Sequence, residues 1–122
     1  MQIIGLHHAQ ITIPFGAEDA ARDFYCSTLG LPEIPKPDSL RARGGFWLQV
    51  GDRQVHVGVE DRSATLVTKA HLAYQVDDLT SWRTTLSVTG FSILSGEPIP
   101  GFDRFETRDP FGNRIEFIQP IT

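Results

Sequence analysis

Side chains able to bind a metal ion occur at matching places in two halves of the sequence. His71 follows His8 by 63 residues, and Glu116 follows His56 by 60 residues. Neutral imidazole and carboxylate groups suit Zn²⁺, Mn²⁺, Fe²⁺, Ni²⁺ or Co²⁺. The four residues therefore predict a site for a divalent metal, of an identity that the sequence leaves open.

Glu116 lies in a run of residues that predicts the last strand. Ile115 and Phe117 alternate with Glu116 after the turn-forming residues 109–113, so one face packs on a core and Glu116 points to the other face. A carboxylate between large apolar neighbours costs free energy unless it is paired. The histidines provide a reason for its position, since a shared metal ion would neutralise it.

The elements that must position these side chains follow one order in both halves. In the first half, alternation of apolar and polar residues predicts a strand over residues 6–14. Helical spacing predicts a helix over 17–28, and alternation on both sides of a Gly-Asp turn predicts a hairpin over 45–60. Three prolines between the helix and the hairpin allow only a short edge strand or loop. The order is strand, helix and three strands.

The second half repeats this order after a polar stretch over residues 61–68. A strand is predicted over 70–76, and a helix begins after Asp78 as N-cap and ends near Gly90. Three strands then follow, at 91–94, at 102–108 and at the run that contains Glu116. The repeat predicts an α+β fold of two βαβββ modules, at about 4–60 and 69–119, within one domain over 1–122.

Alternation places the metal-competent side chains opposite the apolar residues in each strand. If the helices cover the outer face of a curved mixed sheet, His8, His56, His71 and Glu116 converge on its concave face. Gln10 and Gln75 lie on the same face, as wall residues or as contacts for a ligand. Trp47 is a candidate for an aromatic wall of this cup. Arg104 and Arg114 are candidates to pair with a substrate anion, although surface solvation is the commoner role of arginine.

Bulk composition excludes several classes of function. A chain of 122 residues with 40% hydrophobic residues is of ordinary size for one domain, and a formal net charge of −4 gives no reason to expect nucleic acid or an anionic membrane as partner. The first residues lack a signal peptide, no window is long and apolar enough to span a membrane, and the single cysteine fits a reducing compartment. We expect a cytoplasmic protein with a small-molecule partner.

The sequence resembles the vicinal oxygen chelate superfamily, which includes glyoxalase I, fosfomycin-resistance proteins, bleomycin-resistance proteins and extradiol dioxygenases. The order and spacing of several short motifs across both modules carry the resemblance. They are Leu6-His7-His8-Ala9-Gln10-Ile11, Phe24-Tyr25 with Leu29-Gly30-Leu31, His71, and Asp109-Pro110-Phe111-Gly112-Asn113 leading to Ile115-Glu116-Phe117.

The resemblance implies roles for the four repeated residues. His8, His71 and Glu116 match the two-histidine, one-glutamate ligand set of the fosfomycin-resistance and extradiol enzymes, and His56 falls where glyoxalase I has a carboxylate. His56 is then a fourth ligand, an acid/base group or a wall residue. Glu116 and His56 are the candidate catalytic residues. The implied activity is that of a lyase or isomerase of the glyoxalase type, in which the metal acts as a Lewis acid on a substrate with vicinal oxygens.

Two other functions in the same superfamily fit the sequence. One is a metal-free protein that binds a drug or metabolite, as bleomycin-resistance proteins do, and the other is an iron-dependent dioxygenase of the extradiol type. The resemblance also implies a homodimer, with modules that pair within a chain or between chains. The substrate and the reaction are left open.

Overall fold

The computed structural model describes residues 1–121, and the chain divides into two compact units, Met1–Ala64 and Thr65–Thr122. Each unit contains one four-stranded mixed sheet and the helices that cross over between its strands. The predicted α+β class and the order βαβββ in each half are confirmed. Of the helices in the described residues, none is both long and apolar enough to cross a membrane.

The sheet of the first unit has the order β1-β4-β3-β2, with β1 parallel to β4 and the other pairs antiparallel. Its strands are β1 (His8–Pro14), β2 (Glu33–Ile34), β3 (Phe46–Val50) and β4 (Arg53–Glu60). The tight hairpin at Gly51-Asp52 is confirmed. The edge strand β2 has only two residues, as expected for a segment rich in proline.

The predicted helix over residues 17–28 is confirmed, with a change of pitch in the middle. Helix α1 (Glu18–Arg22) continues as a π-helical segment (Asp23–Thr28), and the Leu29 amide donates to the Phe24 carbonyl five residues earlier, at 2.9 Å. Phe24 and Tyr25, in the π-helical segment, are buried. A 3-10 helix, Asp38–Arg43, was not predicted, because it lacks apolar periodicity.

Alternation along the strands separates an apolar face from a polar face in the first unit. The apolar face is buried and includes Ile13, Leu48 and Val57, each at most 1% exposed. The guanidinium of Arg22 on α1 lies 4.8 Å from the ring centroid of Phe46, which places the helix on this face. The side chains at the intervening positions occupy the opposite face.

The sheet of the second unit has the same arrangement, with the order β5-β8-β7-β6 and β5 parallel to β8. Its strands and helix are β5 (His71–Gln75), α2 (Leu79–Val88), β6 (Leu94–Ser95), β7 (Phe102–Arg108) and β8 (Arg114–Pro120). Asp78 caps α2 as predicted, because its carboxylate accepts from the Ser81 amide at 3.1 Å. Helix α2 packs on the apolar face, where Trp82 stacks on Phe117 with 5.5 Å between ring centroids.

The predicted strand over residues 91–94 is wrong in its position. Gly90 has φ +93°, and the Phe91 amide donates to the Leu86 carbonyl at 2.9 Å. Phe91 therefore completes the end of α2, as is common after a glycine in the left-handed region. Strand pairing begins only at Leu94, opposite Glu106.

The register of the two sheets matches the repeat in the sequence. In the first unit His8 pairs with Gln54, two residues before His56, and in the second unit His71 pairs with Arg114, two residues before Glu116. His56 and Glu116 therefore occupy equivalent places. The next strand differs between the units, since Trp47 lies opposite His56 and Glu106 lies opposite Glu116.

Candidate functional site

Three aromatic rings form a stack on the polar face of the first unit. The ring of His56 lies between those of His8, at a centroid distance of 4.1 Å, and Trp47, at 3.9 Å, with interplanar angles of 16° and 2°. The strands β1, β4 and β3 are neighbours, and their register brings one ring from each into line. His56 is 7% exposed.

Hydrogen bonds orient the imidazoles in this stack. His56 Nε2 lies 2.9 Å from Gln54 Oε1, so Nε2 carries the proton and donates to the amide oxygen. His8 Nδ1 shares a hydrogen bond of 3.0 Å with His7 Nδ1. Gln54 occupies the strand position beside His8, and it fixes the ring of His56 from the same face of the sheet.

The environment of His56 disfavours its protonated form. Burial lowers the pKa of His56 below its ordinary value of 6.5, and the neighbouring basic side chains of His8, His7 and Lys36 lower it further. His56 is therefore kept neutral in the folded chain under conditions in which a solvated histidine begins to take up a proton. A neutral imidazole can stack, donate from Nε2 and accept at Nδ1.

This lowered pKa predicts a loss of stability in mild acid. The unfolded chain binds a proton at His56 more readily than the folded chain, so the free energy of unfolding falls as the pH drops through about 6.5 and below. His56→Phe keeps a flat ring and removes this proton, and we expect its unfolding free energy to fall less steeply between about pH 7 and about pH 5. Urea unfolding at several pH values measures the slope; an equal slope in the two proteins would contradict the assignment.

A cavity of about 540 Å³ opens beside the ring stack. Its lining includes the three stacked rings, the apolar Leu40 and the cations Lys36 and Arg43, and among the described residues it contains no carboxylate. Lys36 Nζ donates to the Gly44 carbonyl at 2.5 Å. Two cations without a carboxylate in the lining make the cavity favourable for an anion.

A network of four charged side chains lies on the polar face of the second unit. Arg104 pairs with Glu116 and, at 3.1 Å, with Glu106, which pairs in turn with Arg114. The side chains of Arg104 and Glu116 are 14% and 8% exposed. The Arg114 hydrogen bond is the largest of the effects that lower the pKa of Glu106. Guanidinium groups thus neutralise both carboxylates.

The backbone holds Arg104 in position against Glu116. Arg104 Nε donates to the Glu97 carbonyl at 2.9 Å, and a Cβ at Gly96 would lie 2.5 Å from the guanidinium carbon. The absence of a side chain at Gly96 therefore leaves the space in which the guanidinium lies. The pairing of Arg104 with Glu116 therefore depends on a glycine in the loop between β6 and β7.

The four predicted metal ligands have chemical types that suit a metal ion, but the contacts they make within each unit do not form a metal site. The rings of His8 and His56 are stacked nearly parallel, so their in-plane lone pairs do not converge on one ion. Glu116 is paired with Arg104, whose charge repels a cation. Within neither unit do three His, Cys, Asp or Glu side chains of residues 1–121 group closely enough to hold a metal.

One of these residues does have the environment of a metal-binding histidine. His71 Nδ1 lies 2.9 Å from the Lys69 carbonyl and donates to it, so Nε2 carries the free lone pair. His71 is exposed and lies on β5, next to the strand that carries Glu116.

The structure brings the predicted site residues together in part. His8, His56 and Trp47 are in contact, and Arg104 and Arg114 join the network of Glu116. The convergence of all four predicted ligands on one cup stays a prediction, as do the roles of Gln10 and Gln75. Gln10 lies over Gly58, where an added Cβ would be 2.7 Å from its amide nitrogen, and Gln75 is exposed on β5.

Sequence reasoning missed two charged residues of these sites. Glu106 alternates with Phe105 and Thr107 in β7, and this alternation is the signal that places it on the polar face. Lys36 lies between two prolines, and nothing local in the sequence indicates that it reaches the cavity.

Comparisons with known proteins agree with this architecture. The family model described as the glyoxalase/bleomycin resistance protein/dioxygenase superfamily matches residues 5–117. A solved structure from Bacillus anthracis, described as a glyoxalase family protein, is 38% identical over 99% of this chain and 98% of that chain, with a TM-score of 0.90.

Two more distant structures share the fold. A lactoylglutathione lyase from Agrobacterium tumefaciens is 18% identical, with 98% and 96% of the two chains covered and a TM-score of 0.74. An antibiotic binding protein from Streptomyces sp. CB03234 is 20% identical, with 98% and 100% covered and a TM-score of 0.72. No protein of curated function matches the sequence.

Proposed function

The chain belongs to the glyoxalase/bleomycin resistance protein/dioxygenase superfamily, and on that premise we propose that it binds a small organic anion with a flat ring in the cavity of its first unit. The ring stack beside two cations carries this proposal. Flat molecules pack well against aromatic rings, and an anionic substituent is attracted to Lys36 and Arg43.

Each side chain of the cavity has a role in this binding. Trp47 and His8 are the outer rings of the stack and offer polarizable surface to a flat ligand. His56, held by Gln54, keeps the stack in register and stays neutral, so it adds no charge that would have to be desolvated. Lys36 and Arg43 select the anion.

Isothermal titration calorimetry with two matched probes tests the proposal. We expect 2-naphthoate to bind more tightly than 2-naphthalenemethanol, which has the same ring system and no charge. Trp47→Ala should weaken naphthoate binding about tenfold, because a stacked aromatic contact and buried apolar area are lost. Lys36→Gln should reduce the preference for naphthoate by up to about fivefold, the scale of a partly exposed charge pair.

Trp82→Phe is the matched control, since Trp82 is the other tryptophan and lies in the second unit, against Phe117. Its affinity for naphthoate should equal that of the unaltered protein. Equal affinity for the two probes, or an unchanged affinity in Trp47→Ala, would refute the proposal. Binding that survives excess chelator separates this function from one that depends on a metal.

A second candidate function is that of a metal-dependent lyase or isomerase of the glyoxalase type. The hydrogen bond from His71 Nδ1 to the Lys69 carbonyl favours it, because metal-binding histidines commonly donate their second ring nitrogen in this way. The pairing of Glu116 with Arg104 opposes it. Metal analysis of the isolated protein decides: about one ion per chain that is lost in His71→Ala supports this candidate.

Removal of the Arg104 charge tests whether that residue blocks metal binding. Arg104→Met frees the carboxylate of Glu116, and we expect it to bind Zn²⁺ at least about tenfold more tightly than the unaltered protein. Arg108→Met is the control, because Arg108 lies on the same strand and bonds to carbonyl groups. Competition with a chromogenic chelator measures the affinity, and equal values for both variants would show that Arg104 does not oppose a metal.

A further inference from the structure

Gln10 lines the cavity of the first unit, and its side-chain amide has no role in the proposed function. We propose that this amide selects the ligand, and that the ligand is a flat-ring carboxylate with a carboxamide or lactam group at the end far from the carboxylate. This inference rests on the proposed function, because it concerns the same cavity. It adds a third element of recognition to the ring stack and the cations.

The polar face of the first unit has one glutamine on each of β1, β3 and β4, and two of these three are bonded within the protein. Gln54 Oε1 accepts from His56. Gln49 Nε2 donates to the Gly51 carbonyl at 2.8 Å. Among the described residues the side-chain amide of Gln10 makes no hydrogen bond, and the residue is exposed. Its donor and its acceptor are therefore accessible to a ligand in the cavity.

A glycine on the neighbouring strand leaves the space in which the Gln10 amide lies. Gln10 pairs with His56 in the register of β1 and β4, and Gly58 is the next residue on the same face of β4. An added Cβ at Gly58 would be 2.7 Å from the amide nitrogen of Gln10 and 3.1 Å from its Cδ. The side chain of Gln10 therefore lies across the sheet, over a glycine that also lines the cavity.

The cations of the cavity lie on the other side of β4 from Gln10. Strand β4 is between β1 and β3, and the segment before β3 lies against β4, since a Cβ at Gly45 would be 2.1 Å from the Val57 carbonyl oxygen. Lys36 donates to the carbonyl of Gly44 in this segment. Neighbouring strands are about 4.8 Å apart, so the backbones at the two ends are separated by roughly 10 Å. A span of this size fits two fused six-membered rings with a polar group at each end.

Arg43 leaves its charge available to the carboxylate end of such a ligand. Arg43 is exposed, and among the described residues its guanidinium makes no ion pair and no hydrogen bond. A guanidinium binds a carboxylate with two parallel N–H···O bonds. At the other end, the amide of Gln10 offers both a donor and an acceptor. A carboxamide or lactam offers both in return and makes two hydrogen bonds, whereas a ketone makes one.

Calorimetry with two matched probes tests this inference. The compounds 6-carbamoyl-2-naphthoate and 6-acetyl-2-naphthoate share the ring, the charge and the second carbonyl oxygen, and only the carbamoyl compound has an N–H group. We expect it to bind at least about threefold more tightly to the unaltered protein, the effect of one hydrogen bond. Gln10→Met keeps the length of the side chain and removes both polar atoms, so the ratio of the two affinities should fall to about one.

Two further variants test where the carbamoyl group binds. Gly58→Ala adds a methyl group that displaces the Gln10 amide, and it should lower the same ratio towards one. Gly58 does not have a positive φ, so alanine fits its backbone. Gln49→Met is the matched control, because Gln49 lies on the same face of the sheet and does not line the cavity. Its ratio should equal that of the unaltered protein.

The outcomes separate this inference from the proposed function. If 2-naphthoate binds as proposed and the carbamoyl and acetyl compounds bind equally to the unaltered protein, this inference alone is wrong. A ratio that stays unchanged in Gln10→Met or in Gly58→Ala also overturns it, as does a ratio that falls equally in Gln49→Met. Failure of all three naphthoates to bind refutes both the inference and the proposed function.

Discussion

Gly45→Ala is expected to destabilise the protein by about 2–5 kcal/mol and to abolish naphthoate binding in the first unit. Gly45 has φ +77°, which L-residues other than glycine rarely adopt. An added Cβ would lie 2.1 Å from the Val57 carbonyl oxygen, so β3 must move away from β4. Trp47 and His56 pair across these two strands, and the ring stack depends on their spacing.

Gly51→Ala is a matched control for this substitution. Gly51 also has a positive φ, +58°, but an added Cβ there would meet nothing within 4 Å. We expect a cost of about 1–2 kcal/mol, which reflects the backbone conformation alone. Urea unfolding of both variants measures the difference, and calorimetry with naphthoate measures the effect on the cavity. Equal destabilisation would show that the contact with Val57 is readily relieved.

Asp109→Ala is expected to cost about 2–4 kcal/mol, because several donors in the turn before β8 lose their acceptor at once. Asp109 is 5% exposed, and its carboxylate accepts from the backbone amides of Phe111 and Asn113, each at 2.9 Å. It also accepts from Asn113 Nδ2 at 2.8 Å. These bonds shape the turn that sets the register of the strand carrying Glu116.

Asp103→Ala provides the comparison for this prediction, since Asp103 is an exposed carboxylate on β7. It should change the free energy of unfolding by less than about 0.5 kcal/mol. Asp109→Asn keeps one acceptor oxygen, so its cost in free energy of unfolding should lie between those of Asp109→Ala and Asp103→Ala. Chemical denaturation gives the three values, and a cost for Asp109→Ala no larger than that for Asp103→Ala would refute the role assigned to the turn.

Much of the fold follows from local patterns in the sequence. Alternation of apolar and polar residues predicts the strands, and Asp78 and Gly90 mark the ends of α2 where the structure has them. The same alternation puts His8 and His56 on one face, where their rings are in contact. The strands, the ends of α2 and the face on which each side chain lies depend on residues that are close in the chain, and backbone geometry repeats them wherever the pattern occurs. The contact between His8 and His56 also needs the pairing of β1 with β4.

The short segments were predicted less well, for a physical reason. Helix Asp38–Arg43 and strand β6 (Leu94–Ser95) have too few residues for a period to be visible. The first of them ends at Arg43, which lines the cavity of the first unit. Sequence patterns alone could not show that this residue reaches the site.

The sequence by itself determined the order of elements, the family likeness and the equivalent places of His56 and Glu116. Only the tertiary structure decided what each of these two residues touches: a ring stack around His56, and Arg104 beside Glu116. The reason is that strand pairing brings together side chains far apart in the chain, and a single charge or ring on the neighbouring strand changes their chemistry. The pairing of Glu116 needs a guanidinium from β7 and the space left at Gly96, neither of which the pattern around Glu116 contains.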